Sequence, residues 1–129
     1  MKINELHYLG KRYGTEKELS FADADIFVFP TYNDCFPLVL LEAQQHSLPI
    51  VTTDEGAIAD IVKNEENGFV CKRNDVKTLV DSLEKIINDK NNQQNIGENN
   101  FKKYKENFTI ECFENNVYGI LSKIADRKK

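Results

Sequence analysis

The stretch ADIFVFPTYNDCFPLVLLEAQQHSLPIVTTDEG, residues 24–56, contains two short apolar blocks with a helical segment between them. Residues 25–29 and 49–53 have the length and composition of strands that are buried in a parallel sheet. Pro37 suits the first turn of a helix, where a missing amide proton is tolerated, and predicts a helix over residues 37–46. The order strand, helix, strand is typical of a β-α-β unit, so this stretch predicts a parallel α/β fold.

On the N-terminal side, residues 5–9 alternate weakly between polar and apolar types, which predicts a further strand. Thr15 and Glu18 have the spacing of a capping box and predict a helix over residues 15–22. The chain is therefore expected to open as strand, helix, strand.

On the C-terminal side, the alternation of helices and strands continues. Asn67-Gly68 predicts a turn that leads into a strand over residues 69–71. Asn74 or Asp75 is expected to cap the helix after that strand, and Thr109 is expected to cap the last helix. The helices predicted here cover residues 57–63, 75–88, 91–105 and 109–124. We expect one α/β domain over residues 1–129, with helices flanking a parallel sheet.

Composition excludes several classes of protein. The 129 residues carry a net charge of -4, and a non-specific nucleic-acid binder needs a basic face instead. Cys35, Cys71 and Cys112 are widely spaced and lack zinc or redox spacing, so reduced thiols are expected. Neither a signal peptide nor a run of roughly 20 apolar residues is evident, which predicts a soluble, cytoplasmic chain whose membrane contacts, if any, belong to a longer parent protein.

The segment from Thr31 to Ala43 joins a strand end to a helix start, and ligands of parallel α/β sheets bind at that edge. The backbone amides of Phe36, Leu38 and Val39, together with the helix dipole, offer an anion site suited to a diphosphate. Glu42 interrupts the apolar series that follows. A carboxylate can accept hydrogen bonds from both hydroxyls of a ribose, and an ordinary exposed helix acid is the alternative interpretation.

Residues 24–56 taken together resemble the donor-binding core of the family 4 retaining glycosyltransferases, which have the GT-B fold. In that family an apolar strand ends in Pro-Ser or Pro-Thr, and a Glu-x7-Glu motif follows whose second acid begins Glu-Ala. Here Pro30-Thr31 ends the strand and Glu42-Ala43 ends the motif. The likeness extends from His7-Tyr8-Leu9-Gly10 to Asp75, through residues 48–51, 60–62 and 67–70. It implies a Rossmann-like sheet with flanking helices, the C-terminal half of a GT-B enzyme.

The resemblance also implies roles for individual residues. Glu42 would hold the donor ribose. The residues implied in binding the donor sugar and its diphosphate are Asp34, Cys35, Phe36, Pro37 and Leu38, with Asp34 on the transferred sugar. The residues implied beside the nucleobase are Lys11, Arg12 and Tyr13. No residue is assigned a catalytic role with certainty, and neither a metal nor another cofactor is expected.

Four positions depart from the family pattern. Asp34 stands where the motif has Glu, which shortens the side chain by one methylene and reduces its reach toward the sugar. Cys35 replaces a common Gly, Ala57 replaces the second Gly of a pair, and Ser47 stands where a helix-ending Gly is usual. The Gly-Arg and downstream Lys that neutralise the diphosphate in the family are not seen before this segment, and the acceptor-binding N-terminal domain is expected to be missing from it. Met1 is therefore expected to open a fragment.

Two further signals are weaker. Asp23-Ala24-Asp25 spells the DxD of metal-dependent glycosyltransferases, but it precedes its strand and should lie at the edge opposite the ligand. His7 and His46 are isolated in sequence and have no partner at metal-ligand spacing.

The resemblance implies that a longer parent transfers a glycosyl group from a nucleotide-activated sugar to an acceptor, with retention, and that this chain alone is inactive. The expected partners are the nucleotide sugar and the absent acceptor domain, and nucleic acid is not expected. A non-catalytic Rossmann-like binding or interaction domain is the alternative.

Overall fold

A computed structural model describes residues 5–128 of the chain, so Met1 and Lys129 lie outside the described residues. Three strands form one parallel sheet in the order β1-β2-β3. The strands are β1 (Phe27–Phe29), β2 (Ile50–Thr53) and β3 (Gly68–Cys71). The helices are α1 (Gly14–Ala22), α2 (Leu38–Gln45), α3 (Ile58–Ile61), α4 (Val76–Asn88), α5 (Lys90–Asn107) and α6 (Ile110–Asp126). The predicted parallel α/β fold is thereby confirmed.

β2 is the central strand, and all four of its residues are buried. Since successive side chains of a strand point to opposite faces, Ile50 and Val51 belong to different cores. Ile50 packs with the apolar residues of α1, α2 and α3, whereas Val51 packs with those of α4 and the first half of α5. The two cores lie on opposite faces of β2 and β3, so these strands are apolar on both sides, whereas Val28 of the edge strand β1 is exposed.

Buried hydrogen bonds between asparagine side chains and backbone carbonyls link the elements of the two cores. Asn100 of α5 is fully buried, and its side-chain amide donates to the carbonyl oxygens of Leu48 and Asn67, at 2.7 and 2.6 Å. The side chain of Asn67 in turn donates to Asn100 Oδ1 at 2.8 Å. These bonds fasten α5 to the turn before β3 and to the start of β2, and every carbonyl involved gains a partner.

Two expectations for the N-terminal segment are wrong. Residues 5–9 form no strand and are exposed, with Tyr8 93% exposed. A single extended segment becomes a strand only when a neighbour accepts its backbone hydrogen bonds, and β1 pairs with β2 instead. α1 begins at Gly14 with Tyr13 as its N-cap and lacks a side-chain cap bond, so Thr15 and Glu18 do not form a capping box.

The predicted caps of the later helices are confirmed. Asp75 accepts from the backbone amide of Thr78 at 3.0 Å, and Thr109 accepts from that of Cys112 at 3.2 Å. Hydrogen bonds from the side chain and the backbone of Thr78 hold the pKa of Asp75 below its usual value, because they favour the carboxylate.

α6 differs from the other helices because none of its residues is buried. One side of this helix is apolar and yet exposed, and it includes Phe113, Ile120, Leu121 and Ile124. Among residues 5–128, each helix is too short or too polar to cross a membrane.

Candidate functional site

The site predicted from the sequence lies in the β1–α2 loop, residues 30–37, at the carboxyl end of β1. Because the three strands are parallel, their carboxyl ends meet at one edge of the sheet. The loops after β2 and β3 begin at Asp54 and Lys72, at that same edge. This is the edge at which open α/β sheets bind their ligands.

Hydrogen bonds from the last residue of β2 and from the loop after it hold the β1–α2 loop in place. Thr53 donates its hydroxyl to the carbonyl oxygen of Thr31 at 2.5 Å, and the amide of Ala57 donates to that of Cys35 at 2.8 Å. Within the β1–α2 loop, the hydroxyl of Thr31 donates to Asp34 Oδ2 at 2.5 Å. The orientation of Asp34 is therefore set by the loop itself.

Gly56 permits this close approach of the two loops. Its φ is +50°, and a Cβ at this position would lie 2.6 Å from the carbonyl oxygen of Cys35 and 2.9 Å from its Cα. Only glycine combines this left-handed conformation with so short a distance to another backbone.

α2 begins at Leu38 with Pro37 as its N-cap, in an extended conformation with ψ 108° and no side-chain cap bond. Pro37 has no side-chain acceptor, and its carbonyl oxygen accepts from the amide of Leu40 at 3.1 Å, so the first-turn amides without an acceptor within the helix are those of Leu38 and Val39. Phe36 and Leu38 beside them are exposed, whereas Pro37 is buried. An uncapped helix N-terminus at the ligand edge of the sheet has the donors and the dipole that a phosphate group requires.

Glu42 lies farther along α2 and is half-buried, with 33% of its side chain exposed. Lys17 of α1 donates to its Oε1 at 2.8 Å, and its Oε2 is buried without a hydrogen-bond partner among the described residues. A buried carboxylate oxygen without a donor is costly. Glu42 therefore differs from an ordinary exposed helix acid, and it has acceptor capacity left for a ligand.

Of the three residues predicted beside the nucleobase, Arg12 has the most contacts. Its guanidinium donates to the hydroxyl of Ser20 at 3.4 Å, and its side chain lines a mostly apolar cavity of about 230 Å³ with Phe21 and Lys17. Lys11 and Tyr13 are exposed. Through Lys17, the structure brings Arg12 and Glu42 into one neighbourhood.

Sequence reasoning missed two cations near the predicted site. Lys17 is 25 residues from Glu42, and Arg73 ion-pairs with Glu55 across 18 residues. Neither separation leaves a helical or strand period to detect. The position of Arg73 just after β3, at the ligand edge, is a sequence signal that points to this cation.

The DxD acids lie where they were predicted, at the other end of β1 from the β1–α2 loop. Asp23 is the C-cap of α1, and Asp25 precedes β1. His46 stacks on the ring of Phe21 and contacts Glu18 at 2.8 Å, which gives this histidine a packing role. Within residues 5–128, acids, histidines and cysteines do not gather into a group of three or more that suits a metal ion.

Comparison with known proteins identifies the family. The glycosyl transferases group 1 profile matches residues 2–103. Capsular polysaccharide biosynthesis glycosyltransferase CapM of Staphylococcus aureus is 35% identical over 89 residues, which are 69% of this chain and 23% of CapM. The lipopolysaccharide core biosynthesis mannosyltransferase LpsB of Rhizobium meliloti is 33% identical over 89 residues, or 67% of this chain and 25% of LpsB. The chain thus spans about a quarter of these relatives.

Solved structures show the same fold. HepE of Anabaena, in complex with UDP and glucose, matches with a TM-score of 0.84 at 20% identity, over 94% of this chain and 33% of HepE. The C-terminal domain of the group 1 glycosyl transferase LpcC of Francisella tularensis matches with a TM-score of 0.70 at 24% identity, over 79% of this chain and 53% of that domain. The family match and the fold agree with the predicted C-terminal half of a GT-B enzyme, and the chain belongs to the glycosyl transferases group 1 family.

Proposed function

We propose that this chain binds a nucleotide-diphosphate sugar, and that its parent protein transfers the glycosyl group to an acceptor with retention of configuration. The observation that carries the proposal is the uncapped N-terminus of α2 at the carboxyl edge of the sheet, followed by the half-buried Glu42. The first suits a diphosphate and the second suits a ribose. Structures of HepE with UDP and with UDP-glucose support this class of ligand.

In the proposed complex, the backbone of Cys35, Phe36, Pro37 and Leu38 lines the diphosphate and the sugar, and Asp34 accepts from a sugar hydroxyl. Glu42 accepts from the ribose hydroxyls. Its two oxygens offer about four lone-pair sites, of which Lys17 occupies one, so ribose binding and the ion pair are compatible. Lys11, Arg12 and Tyr13 are proposed to lie on the nucleobase side.

Catalysis in the parent would rest on stabilising the diphosphate as a leaving group. Amide donors aimed at the developing negative charge provide that stabilisation electrostatically, without a nucleophilic side chain. We propose that a bound metal is not needed for this step, because the amides and the dipole of α2 supply positive potential directly. The two DxD acids lie at the opposite end of β1 and do not enter the mechanism.

The acceptor is proposed to bind to the remainder of the parent, since this chain corresponds to about a quarter of its curated relatives. The exposed apolar side of α6 is consistent with packing against such a further part. A cytoplasmic location is also proposed, because Cys35, Cys71 and Cys112 are free thiols, which is usual in a reducing compartment.

The test is a titration of the chain with UDP, GDP and ADP, followed through backbone amide chemical shifts. We expect shifts over residues 34–42 that weaken strongly in Glu42→Gln, which keeps the shape of the side chain but loses its charge. Glu84→Gln, an exposed acid of α4, is the matched control and should behave as the unmodified chain. Shifts that are the same in both variants would remove Glu42 from the site. Absence of any shift at millimolar nucleotide would leave a glycosyltransferase fold that does not bind donors by itself, as a non-catalytic interaction domain would.

A further inference from the structure

Arg73 joins the loops that follow all three strands. It lies in the loop after β3, and its Nε donates to Oε1 of Glu55, in the loop after β2, at 2.7 Å. Its Nη2 donates to the same carboxylate and also to the carbonyl oxygen of Tyr32, in the β1–α2 loop, at 3.0 Å. Its guanidinium lies 5.6 Å from the centroid of the Tyr32 ring.

Arginine is suited to this position because its guanidinium is a planar fork with five donors. The fork can serve a carboxylate and a carbonyl together while one face lies against an aromatic ring. Glu55 is only 14% exposed, compared with 49% for Arg73, so the carboxylate depends on this cation for charge compensation. A lysine has a single point of attachment and cannot make the same set of contacts.

Tyr32 is held from a second side. Its hydroxyl donates to Oδ1 of Asn74 at 2.5 Å, and Asn74 has a left-handed φ of 63°, which asparagine tolerates better than most residues. The loop after β3 therefore contacts both the backbone carbonyl and the side-chain hydroxyl of Tyr32. The other anchors of the β1–α2 loop, at the carbonyls of Thr31 and Cys35, lie on either side of this residue.

Tyr32 precedes Asp34 by two residues and Phe36 by four, so the position of its backbone affects the residues proposed to contact the donor. We propose that Arg73 is a positioning residue for the β1–α2 loop: with Glu55 it holds the Tyr32 carbonyl and orders the amides and the carboxylate that receive the nucleotide-diphosphate sugar. This inference rests on the proposed donor-binding function. Arg73 acts through the loop and does not itself contact the donor, so its effect is one of preorganisation.

The experiment compares Arg73→Gln, Arg73→Lys and Glu55→Gln in the full chain, with UDP as the probe. Hydrogen exchange of the amides of residues 33–36 reports loop order without ligand, and urea unfolding reports global stability. In Arg73→Gln we expect faster exchange at these amides. We also expect UDP to bind roughly three- to tenfold more weakly, the range that corresponds to loss of one partly buried, hydrogen-bonded ion pair. Arg73→Lys should restore less than half of that loss, because lysine cannot hold Glu55 and Tyr32 at once.

The pair should also be coupled. The double variant Arg73→Gln, Glu55→Gln is expected to bind UDP no more weakly than Arg73→Gln alone, since both changes break the same contact. Lys85→Gln is the matched control, because Lys85 makes an exposed ion pair with Glu65 at 3.7 Å, away from the β1–α2 loop. It should leave both loop exchange and UDP affinity unchanged.

The outcomes separate this inference from the function on which it rests. Unchanged exchange at residues 33–36 in Arg73→Gln would overturn the inference, as would a UDP affinity equal to that of Lys85→Gln. If the unmodified chain does not bind UDP, GDP or ADP, the proposed function fails, and the exchange data still decide whether Arg73 orders the loop. Should Arg73→Gln not fold, Arg73→Lys removes the guanidinium fork and Glu55→Gln removes the carboxylate that the fork binds, and both variants give the same two readouts.

Discussion

Replacing Gly56 with alanine tests whether the close approach of two loops stabilises the site. A Cβ at Gly56 would clash with the carbonyl oxygen of Asp34 and would lie 2.6 Å from that of Cys35 and 2.9 Å from the Cα of Cys35. Backbone atoms cannot rotate away as a side chain can. The loops would have to separate. That movement would also stretch the 2.8 Å hydrogen bond from the neighbouring amide of Ala57 to the same Cys35 carbonyl.

The magnitude follows from three effects. Alanine in the left-handed region, where Gly56 has φ +50°, costs about 1–2 kcal/mol. Overpacking of a tight contact costs about 1–3 kcal/mol, and a weakened backbone hydrogen bond about 0.5–1.5 kcal/mol. Allowing for partial relaxation of the loops, we expect Gly56→Ala to lower the free energy of unfolding by about 2–5 kcal/mol.

Gly14→Ala is the matched control, since Gly14 has nearly the same φ, +55°, but no atom within 4 Å of the added Cβ. This variant should lose only the left-handed term, at most about 1–2 kcal/mol. Urea unfolding of both variants, followed by circular dichroism, gives the comparison, and amide shifts of residues 34–36 should change in Gly56→Ala alone. Equal losses of stability in the two variants would refute the reasoning, because the contact with the backbone of Asp34 and Cys35 would then contribute nothing.

Three further predictions concern stability. Asn100→Leu should lower the free energy of unfolding by about 2–4 kcal/mol in urea titrations, because buried carbonyl groups lose their donors, and a loss below 1 kcal/mol would contradict this. Burial, followed by the charge of Lys63, lowers the pKa of Lys103, so its charged form is disfavoured in the fold. The free energy of unfolding should therefore rise as the pH increases from that lowered pKa toward 10.5. At pH 7, Lys103→Met should be more stable than the unmodified chain by about a few tenths of a kcal/mol, and this advantage should disappear above pH 10.5. The lowered pKa of Asp75 means that its carboxylate should stabilise the fold above pH 3.8. This effect should be lost as the pH falls through the lowered pKa, so the acid unfolding curves of Asp75→Ala and the unmodified chain should converge.

The elements that could be predicted from the sequence are those whose signal is local. α4 was predicted over residues 75–88 and observed at Val76–Asn88, because one face of that helix packs on the sheet and carries the apolar period. The strand around Ile50 was predictable because burial on both faces leaves a continuous apolar run. The strand around Phe27 was recognisable from its apolar composition, although it is an edge strand whose Val28 is exposed. The strand predicted over residues 5–9 is absent for the opposite reason. Alternation of polar and apolar residues does not determine whether a segment finds a neighbouring strand to pair with.

In the candidate site, too, local features were predictable from the sequence and long-range contacts were not. The β1–α2 loop and the start of α2 were predictable, because Pro37 and the end of an apolar strand mark them in the sequence. The partners of the acids in this region were not predictable. Lys17 reaches Glu42 only through the packing of α1, and Arg73 reaches Glu55 only through the position of the loop after β3. The fold brings these charges together, and the local sequence pattern does not predict which acid each cation pairs with.

Asp34 shows how such a non-local scaffold acts on a single side chain. The resemblance places a glutamate at this position, and Asp34 is one methylene shorter, which by itself would draw its carboxylate back from the proposed sugar position. However, the hydroxyl of Thr31 holds one of its oxygens at 2.5 Å, and the carbonyl of Thr31 is in turn held by Thr53. A shorter side chain with a fixed orientation has fewer rotamers to lose when a ligand binds. We therefore expect Thr31→Val to weaken donor binding by Asp34 more than its modest effect on stability would suggest. Without the Thr31 hydroxyl, the carboxylate can adopt orientations that do not face the donor.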